Sequence, residues 1–93
     1  MAEEFAHDAV NTRYTVTVDG EPAGFAEYAE TTDGVLDFHH TVIDPAFRGR
    51  GLSGKLIAHA LGEVRAKGEK IISSCSAVER FIEKNPDQSD LIA

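Results

Sequence analysis

The residues best suited to chemistry in this sequence lie in the stretch RGRGLSGK, residues 48–55. Three glycines alternate there with cationic and small side chains: Gly49, Gly51 and Gly54. Glycines let the backbone approach an anion closely, and the first N–H groups of a helix have no intrahelical partner. The stretch therefore predicts a phosphate-binding loop; the alternative is a tight turn whose arginines are merely solvated.

Two nucleotide-binding patterns fit this stretch as a string but conflict with its surroundings. The three glycines spell the dinucleotide fingerprint G-x-G-x-x-G, yet only 39 residues follow Gly54, too few for a doubly wound sheet. Residues 49–55 spell G-x-x-x-x-G-K, but Leu56 stands where a Walker A loop needs Ser or Thr to hold magnesium. Neither pattern is favoured.

Charge is distributed unevenly along the 93 residues, whose net charge is −7. Residues 1–44 carry ten acidic side chains and one basic one, whereas residues 45–70 carry six basic and two acidic ones. The overall acidity argues against nucleic acid as a partner, since phosphate backbones select basic surfaces. The basic middle segment favours a local anion site, although charge also fluctuates by chance along a short chain.

Composition sets the expected location. No apolar run approaches the roughly 20 residues that span a bilayer, and the acidic start MAEEFAHDAV does not resemble a signal peptide. The only cysteine, Cys75, cannot form an internal disulfide. We therefore expect a cytoplasmic protein with no membrane segment, and no pattern predicts a metal site.

Hydrophobic periodicity predicts three strands followed by a helix. Residues 13–18 alternate with period 2, a second strand covers about 23–29, and a third covers 35–43. Asp19-Gly20 and Asp33-Gly34 are turn signals between them. From residue 52 the apolar residues recur at helical spacing: Leu52, Leu56, Ile57, Ala60, Leu61 and Val64.

The rest of the chain predicts one more strand and one more helix. Gly68 is expected to end the first helix, and residues 70–75 form a short strand. Ser76-Ala77-Val78-Glu79 matches a capping box that would open a second helix, which Asn85-Pro86 ends. The predicted fold is α/β (α+β): a three-stranded antiparallel meander followed by a β-α-β-α unit. We expect one domain over residues 1–93, with residues 1–10 and 88–93 loosely held.

The glycine stretch in this setting resembles the signature turn of the GNAT superfamily of N-acetyltransferases, R/Q-x-x-G-x-G/A. Arg48 takes the first position and Gly51 the first glycine, while Ser53 replaces the usual Gly or Ala. The resemblance implies that acetyl-CoA is the cofactor and that amides of this turn bind the coenzyme A pyrophosphate. The implied cofactor-binding residues are Val42, Ile43, Arg48, Gly49, Arg50, Gly51, Leu52, Ser53, Gly54 and Lys55.

Further features are similar to a miniature, single-domain branch of that superfamily. They are the hairpin Val18 to Glu21, the pair His40-Thr41, Cys75 at the end of a strand, and Asn85-Pro86. Larger members carry helices between their first two strands that shape the acceptor pocket. Only residues 19–22 separate those strands here.

His40 is the candidate base of the implied transfer. Acetyl transfer to an amine needs a base that works near neutral pH, and an unperturbed histidine has a pKa of about 6.5. His39 and His40 would point to opposite faces of a regular strand. The alternative is that His40 is a half-buried strand residue with no catalytic role.

Cys75 is the second candidate catalytic residue. It would lie beside the N-terminus of the second helix, where a thiolate is favoured, and it is a candidate acetyl acceptor or proton donor to the leaving thiolate. The alternative is a structural cysteine. Larger members often supply a tyrosine as this acid from the following helix, where this chain has Phe81.

Two functions stay open from the sequence. The chain is either an N-acetyltransferase acting on an amine, whether a small molecule or a protein lysine, or a non-catalytic or weakly catalytic acyl-CoA-binding module. The implied partners are a coenzyme A thioester and an unidentified amine. We expect a monomer or a weak homodimer, because a small sheet exposes edge strands.

Overall fold

A sheet of five strands is the frame of the computed structural model, which describes residues 2–93. Strands β1 to β4 are antiparallel neighbours in chain order, and β5 runs parallel to β4. The strands are β1 Glu3–Asp8, β2 Arg13–Val18, β3 Glu21–Thr32, β4 Val35–Ile43 and β5 Lys70–Ser73. At the β2–β3 turn, Asp19 and Gly20 both adopt positive φ, +50° and +83°, as a type I′ hairpin requires.

Two α-helices follow the antiparallel strands. Helix α1, Leu52–Ala66, connects β4 to β5, and helix α2, Ser76–Lys84, follows β5. Short 3-10 helices cover Pro45–Phe47 and Pro86–Leu91. Gly68 has φ +70° just after α1, as expected for a residue that ends a helix. The α/β fold class is as the sequence predicted, and so is the order of the strands and α-helices from β2 to α2.

The core lies between α1 and one face of the sheet. Tyr14, Val16 and Phe38 from the sheet are fully buried there, against the apolar stripe of α1. Val78 and Ile82 of α2 join the same cluster, and Leu91 closes it from the last 3-10 helix. We call the opposite side of the sheet the outer face. Within residues 2–93, no helix covers the outer face of β2 to β4.

The first strand was not predicted, because residues 1–10 were expected to be loosely held. Instead β1 pairs with β2 over its whole length. Its three inward side chains contact partners that the sequence pattern does not reveal. The Phe5 ring stacks on His59 with centroids 5.4 Å apart, His7 Nε2 lies 2.6 Å from the Tyr28 hydroxyl, and Glu3 pairs with Lys55. At the other terminus Leu91 is buried and Ile92 bridges to Ile71 in β5.

A β-bulge in β4 changes the predicted orientation of its side chains. Tyr28 pairs with Phe38 and Glu27 pairs with His40, so His39 has no direct partner on β3. The expectation that His39 and His40 point to opposite faces assumed a regular strand, which the bulge interrupts. Both histidines are exposed, and Thr41 takes the inward position because its partner Ala26 is buried.

The second helix begins one residue earlier than the capping-box pattern implied. Its N-cap is Cys75 in an extended conformation, and Ser76 is already helical, so the Ser76 side chain does not cap the helix. Across residues 2–93, no helix is long and apolar enough to cross a membrane.

Candidate functional site

The N-terminus of α1 presents free backbone donors. Gly51 is the N-cap, in the left-handed conformation at φ +71°, and it has no side chain to cap the helix. The first intrahelical bond is donated by Lys55 to the Gly51 carbonyl. The N–H groups of Leu52, Ser53 and Gly54 therefore have no intrahelical acceptor, and no acidic residue lies in this first turn. This end of the helix is suited to an anion.

A cleft of about 280 Å³ opens between this helix end and α2. Gly51, Ser53 and Gly54 line one side of the cleft, and Arg80 and Lys84 line the other. Arg80 and Lys84 are exposed, and within residues 2–93 neither forms an ion pair. Two cations thus face free helical N–H groups across a space of ligand size.

The remaining charged residues of the glycine stretch are placed in different ways. Arg48 and Arg50 are exposed on the loop, with the Arg50 guanidinium 5.3 Å from the centre of the Phe47 ring. The Lys55 ammonium lies 3.0 Å from a Glu3 carboxylate oxygen and is not part of the cleft lining. The structure therefore groups Gly51, Ser53 and Gly54 with α2, and directs Lys55 towards β1.

Beside the cleft, β4 separates from β5. Their pairing ends at Phe38 and Ser73, whereas β4 continues to Ile43. The Asp44 N–H donates to Ala23 on β3, and since successive residues of a strand alternate in direction, the backbone groups of Thr41 and Ile43 face away from β3. Within residues 2–93, no strand bonds the backbone N–H and C=O groups of Thr41 and Ile43 that face away from β3. We call this space the β4–β5 gap.

Cys75 lies at the β4–β5 gap. Its sulfur is 3.4 Å from the Thr41 hydroxyl oxygen, and the residue is half-buried. Burial raises the pKa of the Cys75 thiol, but the Thr41 hydroxyl and the backbone N–H groups of Val78, Ala77 and Thr41 outweigh it. The net result is a pKa below that of an ordinary thiol, because these donors stabilise the thiolate.

His40 lies on the other side of β4. It is exposed on the outer face, where its ring centroid is 6.1 Å from that of Phe25. Thr41, the next residue, has its hydroxyl on Cys75. The two candidate catalytic residues therefore approach β4 from opposite faces of the sheet, at consecutive positions of the strand.

Val42, Ile43 and Phe81 are three further residues that the sequence singled out. The Val42 side chain lies on the outer face and Ile43 packs against the core, so of these two only the Ile43 backbone faces the β4–β5 gap. Phe81 lines the cleft and has no hydroxyl to donate. Among residues 2–93, no group of three or more His, Cys, Asp or Glu side chains is placed to hold a metal ion.

The sequence did not indicate that Arg80 and Lys84 line a cleft with the glycine stretch, or that Thr41 contacts Cys75. A signal for the two cations was present, because a spacing of four puts them on one face of α2. Nothing in the sequence indicated that this face turns towards the glycine stretch. The Thr41 contact depends on the bulge at His39, which strand periodicity does not record.

Comparisons with known proteins place these features in a family context. The family model described as GCN5-related N-acetyl-transferase matches residues 13–91. Protein NATD1 from Homo sapiens is 27% identical over 81 residues, which cover 86% of this chain and 72% of that protein. Protein NATD1 from Gallus gallus is also 27% identical over 81 residues, covering 74% of its length.

Two solved structures share the fold. An NMR structure of a GCN5-like protein from Staphylococcus aureus has a TM-score of 0.73 at 20% identity, covering 97% of this chain and 87% of that chain. The structure of AAC(6')-Iy in complex with the bisubstrate analog CoA-S-monomethyl-acetylneamine has a TM-score of 0.55 at 24% identity, covering 87% of this chain and 60% of that chain.

Proposed function

Because this chain belongs to the GCN5-related N-acetyltransferase family, we propose that it binds acetyl-CoA in the cleft between α1 and α2 and transfers the acetyl group to an amine. The observation that carries this proposal is the uncapped N-terminus of α1 facing Arg80 and Lys84 across the cleft. Free helical N–H groups and unpaired cations are the donors that a pyrophosphate needs.

The β4–β5 gap fits the amide-bearing arm of coenzyme A. No strand of residues 2–93 bonds the backbone groups of Thr41 and Ile43 that face the gap. The Thr41 N–H acts on the Cys75 sulfur, so the Thr41 carbonyl and the Ile43 backbone groups are left to bond an extended chain of amides. An arm that runs from the cleft along β4 passes Cys75. The residues present therefore fit acetyl-CoA at its phosphates and along its arm.

Cys75 and His40 divide the proton transfers between the two faces of β4. In the proposed reaction, the amine nitrogen attacks the thioester carbonyl carbon, and the new C–N bond forms as the C–S bond breaks. His40 accepts the proton that the amine loses. Cys75, in its thiol form, supplies a proton to the sulfur of coenzyme A and is left as the thiolate that its surroundings stabilise. Cys75 is also a candidate to carry the acetyl group itself: its thiolate would attack the thioester carbonyl, coenzyme A would leave as its thiolate, and the amine would then take the acetyl group from Cys75.

Turnover is the direct test of this proposal. The full chain is incubated with acetyl-CoA and a panel of primary amines, and free thiol is followed. We expect amine-dependent thiol release and slower transfer by Cys75→Ala. An acetyl adduct on Cys75, detected by intact mass without amine, would select the carrier role. Binding of coenzyme A without thiol release for any amine would favour the binding module, which the absence of a hydroxyl on Phe81 also favours.

A matched pair of glycine variants separates loss of the site from loss of the fold. Gly51 and Gly34 both have positive φ, +71° and +76°, and a Cβ at either would meet no atom within 4 Å. Valine costs similar backbone strain at both positions, about 1–2 kcal/mol. We expect Gly51→Val to abolish binding of coenzyme A and Gly34→Val to leave it intact. Equal affinity of the two variants would refute the loop assignment.

A further inference from the structure

The outer face of the sheet carries a groove of about 400 Å³ that the acetyl-CoA site does not use. Strands β2, β3 and β4 and the turn after β4 form its walls. Its volume lies in the range of small-molecule pockets. Most of its lining is apolar, with Pro22, Phe25, Val42 and Pro45 among the apolar residues. Arg13 and Asp44 are its charged residues, and Thr15 and Thr17 add two hydroxyls.

The groove adjoins the point where the thioester would lie. The Val42 side chain lines the groove, while the preceding residue, Thr41, contacts Cys75 on the other side of β4. Phe25 connects the groove to His40, since their ring centroids are 6.1 Å apart. A molecule in the groove therefore contacts Val42, the residue that follows Thr41 at the β4–β5 gap. Through Phe25 it is also close to His40, the candidate base.

The charged groups of the groove are already engaged within the protein. The Arg13 guanidinium bonds Glu27 at 2.9 Å and lies over the Phe25 ring at 4.4 Å. The Asp44 carboxylate accepts the Ala46 N–H at 2.9 Å. A phosphorylated or strongly acidic ligand would find no unpaired cation in the groove, and a polyamine would find a single carboxylate. The surface that is left unengaged consists of apolar side chains and the hydroxyls of Thr15 and Thr17.

We propose that this groove binds the acetyl acceptor, and that the acceptor is a primary amine attached to a compact apolar group, aromatic or branched aliphatic. The proposal rests on the proposed acetyltransferase function and extends it to the class of the second substrate. The apolar group lies against Phe25 and Val42, and its amine points along β4 towards His40 and the gap. Phe25 sets the preference for apolar acceptors.

The test uses 2-phenylethylamine and methylamine, which share the reacting group and differ in the apolar part. Titration of the 15N-labelled chain with 2-phenylethylamine, without cofactor, is expected to shift amides of residues 13–17, 23–25 and 40–44, and methylamine is not. With acetyl-CoA, kcat/KM for 2-phenylethylamine is expected to exceed that for methylamine at least tenfold, a preference that apolar pockets provide.

Variants of the groove identify the residue responsible. We expect Phe25→Ala to reduce the preference for 2-phenylethylamine over methylamine to about twofold, while the affinity for coenzyme A is unchanged. Val42→Thr, which replaces a methyl group in the groove by a hydroxyl, provides a milder variant should Phe25→Ala not fold. Ile72→Ala is the control, since Ile72 is 42% exposed on β5 and does not line the groove.

The outcomes distinguish failure of the acetyltransferase proposal from failure of the groove proposal alone. Absence of coenzyme A binding by the wild-type chain overturns the proposed function and the acceptor role with it. Normal coenzyme A binding with unshifted groove amides overturns the groove alone. Equal kcat/KM for the two amines, or an undiminished preference in Phe25→Ala and Val42→Thr, also overturns it.

Discussion

Cys75 is a residue on which several donors converge. Three backbone N–H groups and the Thr41 hydroxyl act on its sulfur, and together they outweigh the effect of burial on its pKa. Two of those N–H groups belong to the first turn of α2, whose N-cap is Cys75 itself. The sulfur therefore lies beside the N-terminus of α2, an environment that favours the thiolate over the thiol.

The lowered pKa of Cys75 predicts a shifted pH profile for its alkylation. The thiolate is the reactive form, so modification by iodoacetamide should reach half its maximal rate at a lower pH than an ordinary cysteine does. Thr41→Val removes the hydroxyl donor and should move this midpoint upward, and Thr31→Val is the control. The rate is measured by intact mass against pH. A wild-type midpoint at or above that of a free cysteine would contradict this account.

At the residue scale, the sequence predicted the donors of the glycine stretch better than their partners. The motif identified Gly51 and Ser53, both of which line the cleft, because chain-local geometry at a helix N-terminus decides their position. Lys55 belongs to the same stretch but does not line the cleft, because its ammonium pairs with Glu3, on a strand that was not predicted. A local sequence pattern does not reveal contacts between residues that are distant in sequence.

Helix α1 is the element that links the proposed cofactor site to the core. One of its faces is apolar and buried against the sheet, and its first turn lines the cleft. Two glycines lie within it, Gly54 at the cleft and Gly62 far from it, and a Cβ at either would meet no atom within 4 Å. The same substitution can therefore be made at a helix position that lines the cleft and at one that does not.

The variants Gly54→Leu and Gly62→Leu are expected to differ in binding but not in stability. Leucine in place of glycine should stabilise the helix by about 0.5–1 kcal/mol at both positions. At Gly54 the new side chain occupies the cleft, so affinity for coenzyme A should fall at least tenfold, whereas Gly62→Leu should bind as the wild type does. Calorimetric titration and thermal unfolding measure the two effects. Wild-type affinity in Gly54→Leu would exclude the cleft as the binding site.

Strands β3 and β4 approach so closely that only glycine fits at one position. A Cβ added to Gly24 would lie 2.5 Å from the Val42 carbonyl oxygen and 2.6 Å from Ile43 Cδ1. We expect Gly24→Ala to lower the free energy of unfolding by about 1–3 kcal/mol, as overpacking does. Urea denaturation measures the change, with Gly62→Ala as the control. An undiminished free energy of unfolding would show that these strands separate without cost.

At the element scale, periodicity predicted β2 to β5, α1 and α2, because each of these places apolar side chains at the spacing of its own structure. It missed β1, whose inward residues Glu3, Phe5 and His7 are mostly polar and are held by ion-pair, ring and hydroxyl contacts. It also missed the bulge at His39, because His40 and Thr41 continue a regular alternation in the sequence while their orientation changes.

Over the whole molecule, charge is segregated around the proposed cofactor site. The net charge is −7, yet Arg80 and Lys84 line the cleft, and Arg48 and Arg50 are exposed on the loop that precedes α1. A local cluster of cations on an acidic protein concentrates a polyanionic ligand at one place and disfavours it elsewhere. The fold thus presents the proposed cofactor site beside the helices on one side of the sheet, and a mostly apolar groove on the other.

The most direct test of this account is titration of the 15N-labelled chain with coenzyme A, followed amide by amide. We predict that the largest shifts occur at residues 49–54, at the first turn of α2 and at Thr41 and Ile43, with saturation at one equivalent. Gly34→Val should reproduce these shifts, and Gly51→Val should lose them. Shifts confined to other parts of the chain, or none at all, would contradict the claim that the α1–α2 cleft is a coenzyme A site.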